Sequence, residues 1–298
     1  PWGAATAATT AAPQQATPDG PLRLTDVRRG AGGADRFLVT PRWSPAGHRL
    51  LLSGRRGVGL WVLDPDSAEL YTIDATQQGP AHWSPDGTSV AFAAHDTSNG
   101  WVVRDLAGGA ARIVARPSFV PPVIPSADVP AAAEVLFEDT VRRIAYEEYR
   151  GRLEAWDGGT RHVLAEEDAA GPRANQDGSR VAWWTGPLLD PTLHVADVDG
   201  RELFAGRGAH PAWLPDGDRL VIAVPQADHG PDGAPQVLAA ELVLLDLRDR
   251  SSTSLTDTPS VVEMQPAVAP GGERLAFADW ASGVLLLGRL ENGAGGAP

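Results

Sequence analysis

The chain has 298 residues, 43% of them hydrophobic, and its 25 basic residues, all arginine, are outnumbered by 38 acidic ones, giving a formal net charge of −13. It contains no cysteine, which excludes a disulfide framework, a thiolate metal site and a cysteine nucleophile. An acidic surface repels phosphate backbones, so the composition argues against a nucleic-acid partner. No run of about 18 apolar residues is present, and we therefore expect no membrane-spanning helix.

The two ends of the chain differ in composition from the rest. Residues 1–20 are small, polar and punctuated by proline, and the chain closes on ENGAGGAP. Such segments bury too little apolar surface to offset the entropy that is lost on ordering. We expect a flexible leader over residues 1–20, a single folded domain over 21–290 and a flexible tail over 291–298.

Between these ends the phrase Trp-Ser-Pro-Asp-Gly recurs six times, with some copies degenerate. Proline presets φ at the first corner of a turn, and glycine accepts the positive φ that closes a hairpin. Tryptophan is a large apolar group that fills the space between packed sheets. The spacing of 37 to 55 residues is typical of the blades of a propeller. The copies begin at Trp43, Trp83, Phe137, Ala174, Trp213 and Val268.

A second signal follows each phrase. After one apolar strand comes another, which ends in aspartate in five of the six units. These strands are predicted at Leu60–Asp64, Trp101–Asp105, Leu153–Asp157, Leu193–Asp197, Leu242–Asp246 and Val284–Arg289. One more strand follows each turn, so we expect an all-β, six-bladed propeller of four-stranded antiparallel blades. The last unit lacks its fourth strand, and we predict that residues 21–26 supply it and close the ring.

These repeats resemble the WD40-like repeats of the TolB-like propellers of the bacterial envelope, over about residues 21–290. The resemblance implies a single six-bladed ring. The third unit departs from the family pattern because it has Phe137 in place of tryptophan and no turn glycine. The fourth unit has Ala174 at the same place, and the chain has no segment long enough for the N-terminal α/β domain of TolB itself.

Candidate binding residues lie just before each repeat phrase. Variable loops on a rigid frame often carry function, and the longest here are Val27–Thr40, Ala115–Ala133, Val224–Ala240 and Asp257–Gln265. The inner strand of each blade enters from this side, so residues one and three positions before the phrase should line the channel mouth. The polar ones are Arg42, His82, Glu134, Arg173, His210 and Gln265. They predict either a pocket for an acidic group or an ordinary solvated channel lining.

Two further stretches carry weaker signals. Asp228, His229 and Asp232 offer oxygen and nitrogen ligands to a divalent cation, although the glycine and proline beside them are equally typical of a turn. The proline-rich stretch Pro117–Pro130 fits either a polyproline II segment offered to a partner or a linker between blades. We expect no cofactor, with a divalent cation as the alternative.

The resemblance favours a non-catalytic scaffold, periplasmic or extracellular, that binds a protein or peptide through its loops and channel mouth. We expect a monomer, tethered through the flexible leader. One alternative is a propeller enzyme, a metal-assisted lyase or hydrolase that acts on an anionic saccharide. The other is the propeller half of a prolyl-oligopeptidase-like protease. No nucleophile–base motif is recognisable in the sequence, which favours the scaffold.

Overall fold

The computed structural model describes residues 22–77, 81–93, 100–108, 111–114, 123–125, 132–138, 141–148, 151–229 and 235–292. The described chain folds into six antiparallel sheets arranged as the blades of a propeller, which confirms the predicted fold. Its only helical element within those ranges is a single 3₁₀ turn, Arg55–Gly57. The predicted leader and tail fall almost wholly outside the described residues.

The strands follow one another blade by blade. The first strand is β1 (Leu22–Gly32), and blade one then comprises β2 (Leu38–Trp43), β3 (Leu50–Gly54), β4 (Leu60–Asp64) and β5 (Glu69–Asp74). Blade two comprises β6 (Ala81–Trp83), β7 (Ser89–Ala93), β8 (Trp101–Asp105) and β9 (Arg112–Val114). Blade three comprises β10 (Val123–Pro125), β11 (Ala132–Glu138), β12 (Arg142–Glu147), β13 (Arg152–Asp157) and β14 (Thr160–Ala165).

The second half of the ring repeats this plan. Blade four comprises β15 (Ala170–Ala174), β16 (Arg180–Thr185), β17 (Thr192–Asp197) and β18 (Glu202–Arg207). Blade five comprises β19 (Ala209–Trp213), β20 (Arg219–His229), β21 (Pro235–Asp246) and β22 (Ser251–Ser254). Blade six comprises β23 (Glu263–Val268), β24 (Arg274–Asp279) and β25 (Val284–Asn292), to which β1 is added.

The ring is closed by the first strand of the chain. β1 pairs antiparallel with β25, from Leu22 opposite Asn292 to Gly32 opposite Val284. The predicted closure is therefore confirmed, although the strand runs six residues beyond the predicted end at Asp26. Two register shifts in β1 accommodate the extra length. β1 thus covers the edge of β25 and completes the fourth strand of the last blade, which would otherwise be left with three strands.

Blade three has one strand more than predicted. β10 comes from the proline-rich stretch and pairs with the inner strand β11, from Val123 opposite Glu134 to Pro125 opposite Ala132. Proline is tolerated there because β10 is an edge strand, where a missing N–H does not interrupt a ladder. The added strand lies on the channel side of the blade, and the rest of the proline-rich stretch lies outside the described residues.

The core consists of the contacts between adjacent blades. Both faces of a blade are covered, so its middle strands are continuous apolar runs instead of alternating ones. Leu50, Leu51 and Leu52 are at most 2% exposed, for example. The largest cluster joins blades five and six around Phe277, which is fully buried.

The repeat phrase forms the predicted turn. In blade two the N–H of Gly87 donates to the carbonyl of Ser84 at 2.8 Å, and Gly87 has a φ of +67°. Asp86 accepts hydrogen bonds from the Ser84 hydroxyl and from the Thr88 N–H and hydroxyl, which lower the pKa of its carboxyl below the usual range. The aspartates of the phrase thus stabilise turns, as the sequence indicated.

The tryptophan of the phrase also links neighbouring blades through its indole N–H. Trp83 donates to the carbonyl of Arg42 at 3.1 Å, Trp213 to that of Arg173 at 2.8 Å, and Trp43 to that of Ala267 at 2.9 Å. Each bond joins one inner strand to the inner strand before it in the ring. Phe137, Ala174 and Val268 replace tryptophan in the other three blades and have no side-chain donor to form such a bond.

Candidate functional site

Antiparallel pairing divides the connections of the ring between two faces. The turns of the repeat phrase and those between the third and fourth strands lie on one side, which we call the turn face. The connections between blades and between the second and third strands lie on the other side, the loop face. Each inner strand therefore begins at the loop face, and its first residues surround the mouth of the channel.

The predicted channel-mouth residues all lie on inner strands, one in each successive blade. Arg42 is on β2, His82 on β6, Glu134 on β11, Arg173 on β15, His210 on β19 and Gln265 on β23. Arg42 and Arg173 are exposed, whereas His82, His210 and Gln265 are partly buried. The side chain of Glu134 lies outside the described part. Blades one and four are opposite in a six-membered ring, so the two arginines line the channel from opposite sides, each as the next-to-last residue of its strand and hence nearer the turn face than the loop face.

A β-bulge shapes the mouth in four of the six blades. In blade one, Val39 pairs with Ser53 and Arg42 with Leu51, so two residues on β2 lie opposite one on β3. Blades four, five and six have the same register shift. The two-residue alternation expected from the sequence is therefore interrupted at this point. In these four blades the residue three before the phrase takes a positive φ: Thr40 (+48°), Gly171 (+51°), His210 (+51°) and Gln265 (+53°).

Two of the predicted residues hold adjacent blades together. The Gln265 side-chain oxygen of blade six accepts a hydrogen bond from the N–H of Thr40 in blade one at 2.7 Å. The Arg42 guanidinium donates to the carbonyl of Ala81 in blade two at 3.1 Å. A left-handed backbone at a non-glycine residue costs about 1–3 kcal/mol. The Gln265 bond offsets part of that cost at Thr40.

A histidine and a tryptophan lie close together at the junction of blades four and five. The rings of His210 and Trp184 are 5.5 Å apart, and a Cβ atom added at Gly171 would lie 3.2 Å from the indole nitrogen of Trp184. That nitrogen is buried and has no acceptor within the described ranges. Burial, and secondarily the positive charge of Arg173, lower the pKa of His210 to about 4. The imidazole is therefore neutral at neutral pH.

His82, in blade two, lies beside one aromatic ring. Its ring is 5.7 Å from that of Trp101 and tilted against it by 54°. Blades two and five are opposite in the ring, so His82 and His210 belong to opposite walls of the channel. The channel lining thus combines two exposed arginines with the partly buried His82, His210 and Gln265. Such a set is suited to accept a carboxylate, because arginine donates to it in a fixed fork.

The weak metal candidates lie on a long hairpin instead of a loop. Asp228 and His229 end β20, and His229 pairs with Pro235 at the start of β21. The side chains of both candidates, and all of Asp232, lie outside the described part. The sequence assigned Val224–Ala240 to a loop because of its prolines and glycines, yet most of it continues the two strands. Elsewhere in the described ranges, no three histidine, aspartate or glutamate side chains gather as a metal site would require.

The connector between blades five and six is held by two carboxylates. Glu241 accepts the N–H of Thr258 at 3.0 Å, and the hydroxyl of Thr258 donates to Glu263 at 2.6 Å. Glu263 is 2% exposed, and burial raises the pKa of its carboxyl above the usual range. The predicted variable loop Asp257–Gln265 is thus anchored to blade five through Thr258 and runs into β23.

A cleft of about 290 Å³ between blades three and four contains a polar row that the sequence did not indicate. The Thr185 hydroxyl lies 3.1 Å from Nε2 of His194, whose Nδ1 is 3.5 Å from a carboxylate oxygen of Glu202. His194 stacks on Trp183 at 5.3 Å. These residues lie on three different strands, so no local motif marks them. Glu202 and Thr185 fix the orientation of the imidazole.

Comparison with known proteins bears on the fold. No family model and no curated protein sequence matches the chain. Among solved structures, the putative TolB from Agrobacterium tumefaciens has a TM-score of 0.51 and 16% identity, covering 91% of this chain and 99% of that one. The fold is that of a TolB-like propeller.

The propeller domain of Cps50 (Swd1) from Myceliophteria thermophila is also similar. It has a TM-score of 0.57 and 15% identity, and the match covers 91% of this chain and all of that domain. At these identities the likeness concerns the fold. Within the described ranges, the chain has no helix that is long and apolar enough to cross a bilayer.

The lowered pKa of His210 predicts a pH dependence of stability. In the folded state the pKa is about 4, below the value of about 6.5 expected when the chain is unfolded. The unfolded chain therefore binds the proton more readily, and stability that is fully present above pH about 6.5 is lost as the pH falls toward 4. We expect this group to account for about 3 kcal/mol of that loss. Urea unfolding at pH 7 and pH 4 measures it.

The variant His210→Asn is suited to this test because asparagine tolerates a positive φ. It should lose less stability than the native chain between the two pH values. His48→Asn, which removes an exposed histidine on the turn face, is the matched control and should behave like the native chain. An equal loss in His210→Asn and the native chain would contradict the prediction.

Proposed function

We propose that the chain is a non-catalytic binding propeller that holds an acidic segment of a partner protein at the channel mouth and across the loop face. The observation that carries this proposal is the placement of Arg42 and Arg173. Both are exposed, and they line the channel from opposite inner strands. His82 and the neutral His210 also line the channel and add groups that can donate or accept a hydrogen bond.

The net charge of −13 favours a short acidic segment over a long polyanion as the ligand. A long, uniformly charged polyanion is repelled by most of the surface, whereas a short acidic segment meets a local positive field at the mouth. Such complementarity steers association and selects partners more than it adds affinity. A polypeptide also supplies backbone groups that can pair with the bulged inner strands. Binding in this mode needs no cofactor.

We further propose that the protein works in the bacterial envelope, in the periplasm or outside the cell. The support is the likeness of the ring to the putative TolB of Agrobacterium tumefaciens. Fold likeness alone does not determine function, so the test must address the site itself.

Binding to a peptide panel tests the proposal. Fluorescein-labelled twelve-residue peptides of acidic, neutral and basic composition are titrated with the protein, and fluorescence anisotropy is followed. We expect saturable binding of acidic peptides, and the double variant Arg42→Gln/Arg173→Gln should weaken it about tenfold. The control is Arg112→Gln, which removes one positive charge from an exposed position on the outer strand of blade two. It should bind like the native chain.

Four outcomes contradict the proposal. The first is no saturable binding of any peptide, and the second is binding that the Arg42→Gln/Arg173→Gln variant leaves unchanged. The third is hydrolysis of a p-nitrophenyl ester that is abolished by His194→Asn, which would favour an enzyme that uses the cleft of Thr185 and Glu202. The fourth is a bound stoichiometric divalent ion that activates cleavage of an anionic saccharide such as polygalacturonate.

A further inference from the structure

The positive charge of the chain is concentrated in one short stretch. Residues 22–60 contain eight of the 25 arginines but only two of the 38 acidic residues, Asp26 and Asp35. This stretch includes β1, the connector from β1 to β2, and the first half of blade one. It therefore forms a cationic sector at the junction of blades six and one, on a protein whose surface is otherwise strongly acidic.

The arginines of this sector differ from the others in their partners. Eight arginines between residues 152 and 289 form ion pairs, such as Arg180 with Asp218 and Arg248 with Asp246. In contrast, no described arginine of residues 22–60 has a carboxylate of the described chain within ion-pair distance. Arg28 and Arg29 donate to backbone carbonyls instead. Within the described part of the chain, the positive charge of this sector is thus not matched by direct ion pairs.

Part of the sector lies beside exposed aromatic groups on the loop face. Trp280, in the turn between β24 and β25, is 36% exposed and meets Phe37 edge to face at 6.3 Å. The Arg55 guanidinium lies 5.1 Å from the centre of the Phe37 ring on its face. Val58, three residues after Arg55 in the chain, is 40% exposed. Blade six supplies Trp280, and the connector and blade one supply the rest.

The backbone fixes these groups in place. The carbonyl of Gly283 accepts hydrogen bonds from the N–H groups of Gly33 and Leu38, at 3.2 and 3.0 Å. Gly283 itself has a φ of +72°, and a Cβ atom there would lie 2.4 Å from the Phe37 ring. The turn of blade six is therefore packed directly against the connector. An interface built on such a fixed surface loses little entropy on binding.

We propose that this surface, the arginine–aromatic seam of Arg29, Arg36, Phe37, Arg55, Val58 and Trp280, docks an acidic polypeptide segment that carries an apolar side chain. Arg36 and Arg55 pair with its carboxylates, and Trp280 and Val58 pack against the apolar group. Tryptophan and arginine are the residues that most often dominate binding energy in protein interfaces. The inference rests on the proposed function, because it names where on the loop face the acidic partner is held.

The apolar component selects a polypeptide over other polyanions. A nucleic acid or an acidic polysaccharide presents regularly spaced charges over a long distance, and beyond the seam it would meet the acidic remainder of the surface. Val58 and the edge of the Trp280 ring would also add nothing to the binding of a phosphate group. A short acidic segment with a hydrophobic residue uses both kinds of group in the seam.

The probe is a fluorescein-labelled peptide of twelve residues, alternating glutamate and glycine around one central leucine, with its glutamine counterpart as the neutral ligand. Anisotropy titrations should show binding of the glutamate peptide that weakens about tenfold between 50 mM and 500 mM salt, because exposed charges are screened. Arg36→Gln/Arg55→Gln and Trp280→Ala should each weaken binding about tenfold. Arg112→Gln should change it less than about twofold.

The arginine variants alter exposed side chains and should fold, which thermal unfolding verifies. The proposal is overturned if the glutamine peptide binds equally well, if polyuridylate binds more tightly than the acidic peptide, or if the seam variants bind like the native chain. Loss of binding only in Arg42→Gln/Arg173→Gln would leave the proposed function standing and refute the seam. Absence of binding to every peptide of the panel would refute both.

Discussion

A chain that begins at Gly33, and so lacks β1, is expected to aggregate or to unfold without a cooperative transition. β1 forms the outer strand of blade six, and Leu22 packs with Phe277 and Leu290 in the largest core cluster. Its removal opens the ring and exposes the edge of β25. We expect a loss comparable to the entire stability of a domain, about 5–15 kcal/mol. Urea unfolding followed by circular dichroism, together with gel filtration, measures it.

The matched truncation begins at Leu22 and removes only residues 1–21. The composition of residues 1–21 predicts no packed structure, so the truncated chain should unfold at the same urea concentration as the full one. A synthetic peptide of residues 22–32, added to the shorter chain, should restore a cooperative transition in proportion to its concentration. A cooperative, monomeric chain beginning at Gly33 with native stability would contradict ring closure by β1.

Phe277→Ala is expected to destabilise the protein by about 3–5 kcal/mol. Phe277 lies in the middle strand β24, is fully buried, and packs with residues of blades five and six, among them Met264 and Leu242. Truncation leaves a cavity between two sheets that are held apart by the rest of the ring, so the walls cannot collapse to fill it. Chemical denaturation at pH 7 measures the change.

Phe277→Leu keeps most of the volume and should cost less than about 1.5 kcal/mol. Phe204→Ala is the comparison on an outer strand, where the ring is only partly buried, and it should cost less than Phe277→Ala. If Phe204→Ala is the more damaging of the two alanine variants, the core is not centred on the junction of blades five and six.

The fold could be predicted because its determinants are local and repeated. Each turn phrase specifies its own hairpin, and six copies in register leave little choice but a ring. The strand predicted at Leu60–Asp64 is β4, and the one at Trp101–Asp105 is β8. Even the closing strand was recognisable, because Leu22–Asp26 copies the end of blade five. Its extension to Gly32 was not, since arginine and glycine carry no strand signal.

The channel mouth was predicted only in outline. Sequence placed Arg42, Arg173 and His210 on inner strands, but a strict two-residue alternation gave no sign of the bulges at Thr40 or His210. A bulge depends on the partner strand as well as on its own residues, so it leaves no local mark unless glycine occupies it. Gly171 was such a mark in blade four.

Features that join distant parts of the chain could not be read from the sequence. Phe37 and Trp280 are 243 positions apart and meet only because the ring closes. The bond from Trp43 to Ala267 likewise gives the repeated tryptophan a role that its turn does not reveal. The row of Thr185, His194 and Glu202 depends on the register of three strands. In each case the partners are set by pairing and closure, which follow from the complete fold.

The pairing of Leu22 with Asn292 also places the first and last described residues at the same face of the ring. Because Gly32 and Val284 lie at the loop face, the opposite ends of β1 and β25 lie at the turn face. The described chain therefore begins, at Leu22, and ends, at Asn292, on the turn face of blade six. A molecule held at either end presents its channel mouth and its seam outward, away from whatever holds it. Reporter domains or surface linkers fused at either terminus should thus leave the binding side unobstructed.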